Sequence, residues 1–101
     1  MPEFELYLKF LKEEKFFEAH EALESYWFPR RFENKNEIKL IKGLINAAVS
    51  FELYKRGRTL QSKKVWMNYL KYRQLLYRID TPFYKQLHHC VREVDRLRVY
   101  M

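Results

Sequence analysis

Apolar residues recur at helical spacing along the whole chain, interrupted by a few prolines, glycines and polar clusters. No alternating β-branched run bounded by turn residues occurs, so strands are not expected. At 101 residues the chain is predicted to be one all-α domain, 1–101. Five helices are predicted, the first two at about Glu3–Glu14 and at Phe16–Phe28. The third begins at a capping box formed by Asn34 and Glu37 and ends at Gly57, and the fourth runs from Thr59 to about Ile79. The fifth begins at Asp80 or Thr81, with Pro82 in its first turn.

The third predicted helix, NEIKLIKGLINAAVSFELYKR, is apolar nearly all round. A helix of this kind is expected at the centre of its domain, enclosed by the others. Gly43 is unfavourable inside a helix, and close approach of a neighbouring segment would explain it. Asn46 follows on the same side, and a buried amide there would need hydrogen-bond partners.

Charge and cysteine content limit the class of protein. Residues 1–34 hold five basic and eight acidic side chains, whereas residues 35–101 hold fifteen and five, for a net charge of +7. This asymmetry favours an anionic partner. Cys90 is the single cysteine, the first residues do not resemble a secretory signal, and no run is apolar enough to span a membrane. We therefore expect a cytoplasmic protein that does not enter a membrane.

The most distinctive polar residues lie on the second predicted helix, which consists of FFEAHEALESYW and the following Phe28. At 100° per residue, His20 and Glu24 lie one turn apart in the middle of an aromatic arc. The arc runs through Phe16, Trp27, His20, Glu24, Phe17 and Phe28. The pair is therefore expected to be at least partly buried, with Glu21 at the edge of the arc.

Three interpretations of this pair remain open. It can be a buried polar pair that fixes helix two on helix three through Asn46, in which case Glu24→Ala should cost about 3 kcal/mol. It can anchor a small ligand in a site formed by His20, Glu21, Glu24, Trp27 and Asn46. It can be a metal or catalytic centre, since HEALE resembles the HExxH of zinc proteases, but Glu24 stands where the second histidine would be. We expect no metal and no cofactor, and favour a binding module over an enzyme.

The same residues resemble a small bacterial and archaeal family catalogued as domain of unknown function 309. Its pattern is approximately FFEAHExLExxW, then a loop, then GLIQxAVAxxHxxxGN. The chain matches it around His20 and Glu24 and again from Gly43 to Gly57. It departs from the pattern at Asn46, Ser50, Leu53 and Arg58, and the histidine missing at Leu53 weakens a metal role. The resemblance implies a compact helical domain and brings no activity with it.

Two interaction surfaces are also predicted. Lys64, Lys71 and Arg78 repeat every seven residues along the fourth helix, opposite a predicted core face. This ridge is the alternative site, for weak, non-specific nucleic-acid binding. That core face is predicted to consist of Val65, Tyr69, Tyr72, Leu76 and Ile79.

The segment YWFPRRF places several rings at one end of the domain, more than a small core can enclose. The rings are Tyr26, Trp27, Phe28 and Phe32. They predict a contact surface, and we expect a homodimer with two-fold symmetry.

Overall fold

Five α-helices with short connections make up the protein in a computed structural model that describes residues 2–101. Residues 2–101 contain no strand, so the predicted all-α class and the number of helices are confirmed. None of the helices in this range is long and apolar enough to cross a membrane. The helices are α1 (Pro2–Lys12), α2 (Phe16–Trp27), α3 (Asn36–Lys55), α4 (Thr59–Arg73) and α5 (Tyr84–Arg98), with 3-10 turns at Phe28–Arg30 and Leu76–Arg78.

The central position predicted for α3 is confirmed. Ten of its twenty residues are buried, and it packs against α2, α4 and α5. The hydroxyl of Tyr7 on α1 donates a hydrogen bond to the carbonyl oxygen of Leu44 over 2.6 Å. This bond ties α1 to the central helix and satisfies the buried Tyr7 hydroxyl.

The contact between α3 and α4 is very close. A Cβ atom on Gly43 would lie 2.7 Å from the Cβ of Tyr72, so the close approach expected at Gly43 is present. Further along the same pair of helices, the hydroxyls of Ser50 and Ser62 each donate to the carbonyl oxygen of the other residue over 2.8 Å. Small side chains thus let the two helices approach, and both buried hydroxyls are satisfied.

The predicted core face of the fourth helix is wrong in part. Tyr69 and Leu76 are buried, but Val65, Tyr72 and Ile79 are only half-buried. Trp66 and Ser62 are buried instead. The reason is the Ser50–Ser62 contact, which turns the Ser62, Trp66 and Tyr69 side of α4 towards α3.

A polar cluster joins α4 to α5 beside this core. The Tyr69 hydroxyl donates to Asp95 Oδ1 over 2.8 Å. The Arg73 guanidinium donates to Asp95 Oδ2 through Nη2 at 2.6 Å and Nε at 3.0 Å. One carboxylate therefore accepts three hydrogen bonds, two of them from a charged donor.

Several helix ends differ by a few residues from the predicted ones. Gly57 follows α3 with φ +79°, as expected of a C-terminal glycine. The capping box at Asn34 and Glu37 does not form, because α3 begins at Asn36, whose amide donates to the Arg78 carbonyl oxygen over 2.8 Å. Thr59 is the first residue of α4 and caps nothing.

The fourth and fifth helices differ most from their predicted ranges. α4 ends at Arg73, and Leu76–Arg78 forms a separate 3-10 turn. The Thr81 hydroxyl oxygen accepts a hydrogen bond from the Phe83 N–H over 3.2 Å, and α5 begins only at Tyr84. Pro82 therefore lies ahead of the helix.

Candidate functional site

His20 and Glu24 contact each other along one turn of α2. The distance from His20 Nε2 to Glu24 Oε2 is 2.6 Å. The other ring nitrogen, Nδ1, faces the Phe17 carbonyl oxygen at 3.2 Å. Both ring nitrogens therefore already face an oxygen atom of the same helix.

This pair is partly buried, as expected, but it does not lie on the buried face of α2. The side chain of His20 is 22% exposed and that of Glu24 is 46% exposed. α2 instead buries Phe16, Ala19 and Leu23. The aromatic rings of Phe17 and Phe28 were expected on the buried side but are about half exposed, so the true buried face is rotated away from Glu24.

The predicted link to Asn46 does not form. The Asn46 amide donates to the Lys42 carbonyl oxygen one turn earlier on its own helix, over 2.9 Å. Glu21 is exposed, and Trp27 lies half-buried beneath the Lys42 ammonium group, 4.2 Å from its ring centre. Of the five residues predicted as one ligand site, His20, Glu21 and Glu24 line one shallow, open cavity of about 290 Å³ on α2. Trp27 and Asn46 do not line it.

His20 also borders an open groove between α2 and α3 of about 290 Å³. The rim includes the ion pair between Glu52 and Arg56, whose closest atoms are 2.6 Å apart. The floor is apolar and includes Leu53, one of the positions where the chain departs from the resembled pattern. The groove is lined by Phe16, Phe17, His20, Val49, Glu52, Leu53 and Arg56.

Within residues 2–101, no group of three or more histidine, cysteine, aspartate or glutamate side chains is arranged to hold a metal ion. The pair of His20 and Glu24 is one ligand short of the three protein ligands usual in catalytic zinc sites. Burial raises the pKa of the Cys90 thiol to about 12, which keeps it protonated and a poor nucleophile at neutral pH.

Replacing Glu24 with alanine is expected to lower the free energy of unfolding by less than about 1 kcal/mol, because the Glu24 carboxylate is about half exposed and pairs of this spacing contribute little at the surface. Urea denaturation of Glu24→Ala measures this, with the exposed Glu18→Ala on the same helix as the control. A decrease above about 2 kcal/mol for Glu24→Ala alone would restore the buried-pair interpretation.

A second region combines positive charge with exposed rings. It begins with a cleft of about 460 Å³ between the first turns of α3 and the end of α4, which we call the basic cleft. Three of its lining residues are cations, and none is acidic. The basic cleft is lined by Lys39, Lys71, Tyr72, Gln74, Leu75 and Arg78.

A neighbouring cleft of about 380 Å³ lies between α3 and the connection that follows α2, and we call it the loop cleft. It shares Lys39 and Tyr72 with the basic cleft, so the two are adjacent. Together they form the basic–aromatic surface. The loop cleft is lined by Trp27, Arg31, Phe32, Glu33, Asn34, Ile38, Lys39, Lys42 and Tyr72.

The cations of this surface are not neutralised. Among residues 2–101, the ion pairs involve none of Arg31, Lys39, Lys42, Lys71 and Arg78. The one acidic lining residue, Glu33, is itself paired with Lys35 at 3.4 Å. The positive charge of the surface is therefore available to a ligand.

Rings hold two of these cations in place. The Arg31 guanidinium lies 3.7 Å from the centre of the Phe28 ring and 4.5 Å from that of Phe32. The Lys42 ammonium lies over Trp27. Cation–π contacts of this kind orient a charge without cancelling it.

The predicted basic ridge is only partly preserved in this surface. Lys71 and Arg78 line the basic cleft, with Arg78 on the 3-10 turn rather than on α4. Lys64 is exposed but lines neither cleft. Sequence reasoning missed Lys39, Lys42 and Arg31, because they come from segments that meet α4 only in the folded chain. The one local indication was the spacing of Lys39 and Lys42 on α3.

Comparison with known proteins identifies a family. A family model described as a domain of unknown function (DUF309) matches residues 4–65, which span α1, α2, α3 and the first part of α4. The comparisons matched the chain to no curated protein and to no solved structure. The matched segment contains the His20–Glu24 pair and the loop cleft residues up to Lys42, but not Lys71, Tyr72 or Arg78.

Proposed function

This chain belongs to the DUF309 family, a domain of unknown function, and we propose that it is a nucleic-acid-binding module that acts through the basic–aromatic surface. The observation that carries the proposal is the adjacency of two clefts lined by five cations. These cations take part in none of the ion pairs within residues 2–101, and the one carboxylate beside them is already paired with Lys35. A surface of this composition attracts a nucleic acid by releasing the counterions condensed on its phosphates.

The arrangement of the cations favours an extended partner. Lys39 stands at the junction of the two clefts, Lys71 and Arg78 line one side, and Lys42 and Arg31 line the other. A chain of phosphates can follow this path from one cleft to the next. A single small anion would leave most of the charges unused.

Binding is expected in the roughly 10⁻⁴–10⁻⁶ M range at physiological salt, as for other non-specific contacts. We propose the cytoplasm as the location, where such a partner is present and the Cys90 thiol stays reduced. Ligand binding by His20, Glu21, Glu24, Trp27 and Asn46 stays a prediction.

The homodimer also stays a prediction. The rings best placed for it are Phe28 and Phe32, because both are exposed, whereas Tyr26 and Trp27 are half-buried. A dimer through these rings would cover part of the loop cleft and compete with nucleic acid.

Neutralising two cations of the basic cleft is expected to weaken binding strongly. At about 50 mM salt, Lys39→Gln/Lys71→Gln should reduce affinity for a labelled oligonucleotide by about tenfold for each cation removed. The slope of log affinity against log salt should become shallower by about 0.7 for each phosphate of a single strand that the variant no longer neutralises. Fluorescence anisotropy between about 50 and 200 mM salt measures both quantities.

The matched control is Lys63→Gln/Lys64→Gln, which removes the same charge from exposed positions on α4 outside both clefts. It should retain most of the affinity and nearly the full slope. Equal decreases in affinity for the two double variants would show that only net charge matters and would refute a defined surface.

A further inference from the structure

We infer that the basic–aromatic surface selects single-stranded nucleic acid, with an unpaired base stacking at Phe32 and phosphates lying on Lys39, Lys71 and Arg78. This inference rests on the proposed function and names the ligand class of the same surface. Its basis is the position of exposed rings directly beside the unpaired cations.

The ring of Phe32 is 87% exposed, so it adds almost nothing to the core of the protein. It is not isolated, because the Arg31 guanidinium contacts both this ring and that of Phe28. The guanidinium thus links a half-exposed ring to an open one. A nucleobase can stack on the open ring, since every base has a π-face and needs no sequence-specific contact.

Trp27 also lines the loop cleft, but Lys42 covers its ring at 4.2 Å. This ring therefore holds a positive charge in the cleft, and Phe32 is the ring open to a base. Tyr72 lines both clefts and marks the boundary between the rings on one side and Lys71 and Arg78 on the other. One face of the molecule thus offers stacking in one cleft and phosphate contacts in the next.

A duplex can bind the cations of this surface but cannot stack on its exposed ring. Its bases are stacked on each other, so their faces are closed to the rings of the protein, and only their edges are open in the grooves. A single strand presents both its phosphates and the faces of its bases. The rings therefore favour the single strand, whereas Lys39, Lys71 and Arg78 attract both forms.

The test compares three labelled probes of equal length at about 100 mM salt: a single strand, the corresponding duplex, and an abasic single strand that keeps the phosphates but lacks the bases. Anisotropy should show the normal single strand bound about tenfold more tightly than the abasic strand. Phe32→Ala should weaken binding of the normal strand by about fivefold and leave binding of the abasic strand unchanged. Because Phe32 is exposed, this variant should fold normally, which circular dichroism verifies.

Tyr100→Ala is the control, since it removes a similarly exposed ring that lines a different groove with Tyr54 and Lys55 at the far end of α3. It should leave all three affinities unchanged. Equal affinity for the three probes, with Lys39→Gln/Lys71→Gln still weakening them, would overturn stacking and leave the proposed function intact. No binding of any probe would overturn both.

Polyglutamate of similar charge serves as a competitor. Displacement of the single strand at equal charge concentration would indicate an acidic protein partner and contradict the inference. Failure of polyglutamate to displace it, together with sensitivity to Phe32→Ala, is the expected result.

Discussion

Above about pH 10, the free energy of unfolding is expected to fall by about 1.4 kcal/mol per pH unit for each of two buried tyrosines. Burial raises the pKa of Tyr7 well above its ordinary value. Burial, with the hydrogen bond to Asp95, raises the pKa of Tyr69 in the same direction. Both hydroxyls therefore keep their protons in the folded protein while the unfolded chain releases them.

The sign follows from proton binding. Above about pH 10 the folded state holds more protons than the unfolded state, so stability that is fully present below that pH decreases as the pH rises. The Cys90 thiol lowers stability in the same way, beginning at a lower pH. Its pKa in the folded protein is raised to about 12, whereas an unfolded cysteine ionises near about 8.5. Guanidinium unfolding at a series of pH values from about 8 to about 11 measures the slope.

Single variants show which tyrosine causes the decrease of stability with pH. Tyr69→Phe should lower stability at about pH 8 by about 1 kcal/mol, because it removes the bond to Asp95, and should make the alkaline slope shallower by about 1.4 kcal/mol per unit. Tyr100→Phe makes the same chemical change at a ring that is 78% exposed and should leave the slope as it is. An unchanged slope in Tyr69→Phe would contradict the expectation.

Replacing Gly43 with alanine is expected to destabilise the protein by about 2 kcal/mol, although the same change in an exposed helix stabilises by about 1 kcal/mol. The new methyl group would lie 2.7 Å from the Cβ of Tyr72, which is fixed to its own helix and cannot rotate away. α3 and α4 would have to separate, and the hydrogen bonds between Ser50 and Ser62 would be strained. Thermal and urea denaturation measure the change.

Gly57 provides the control, because it is needed for a different reason. Nothing lies within 4 Å of a Cβ placed there, but its φ is +79°. Gly57→Ala should cost about 1 kcal/mol, and Gly57→Asn less, since asparagine adopts this conformation more readily. Gly43→Asn should instead be worse than Gly43→Ala. A Gly43→Ala protein more stable than the wild type would show that the two helices separate at no cost.

Much of the fold could be predicted from local patterns. The spacing of apolar residues located all five helices, and the nearly continuous apolar surface of α3 identified it as the centre. Gly57 ended α3 as expected. The helix starts were less predictable, because Asn34 and Thr59 looked like caps, but neither caps a helix in the folded chain. Asn36 instead contacts Arg78, a residue distant in sequence.

The candidate sites were less predictable than the helices. His20 and Glu24 were correctly paired, because residues four apart on a helix are neighbours. Their partial burial was also predicted, but the rings of Phe17 and Phe28 were wrongly assigned to the core. An exposed ring and a buried ring have the same hydrophobicity in sequence, and only the neighbouring helices distinguish them.

Local sequence was sufficient to specify the helical class, the order of the helices and the central place of α3, since periodicity and chain breaks act over a few residues. Which face α2 and α4 bury depended on tertiary packing, because the rotation of a helix about its axis is set by how closely a neighbour can approach. The contacts of Gly43 with Tyr72 and of Ser50 with Ser62 set that rotation for α4. They also bring cations from three separate segments to one surface, because side chains distant in sequence meet only after the helices have packed.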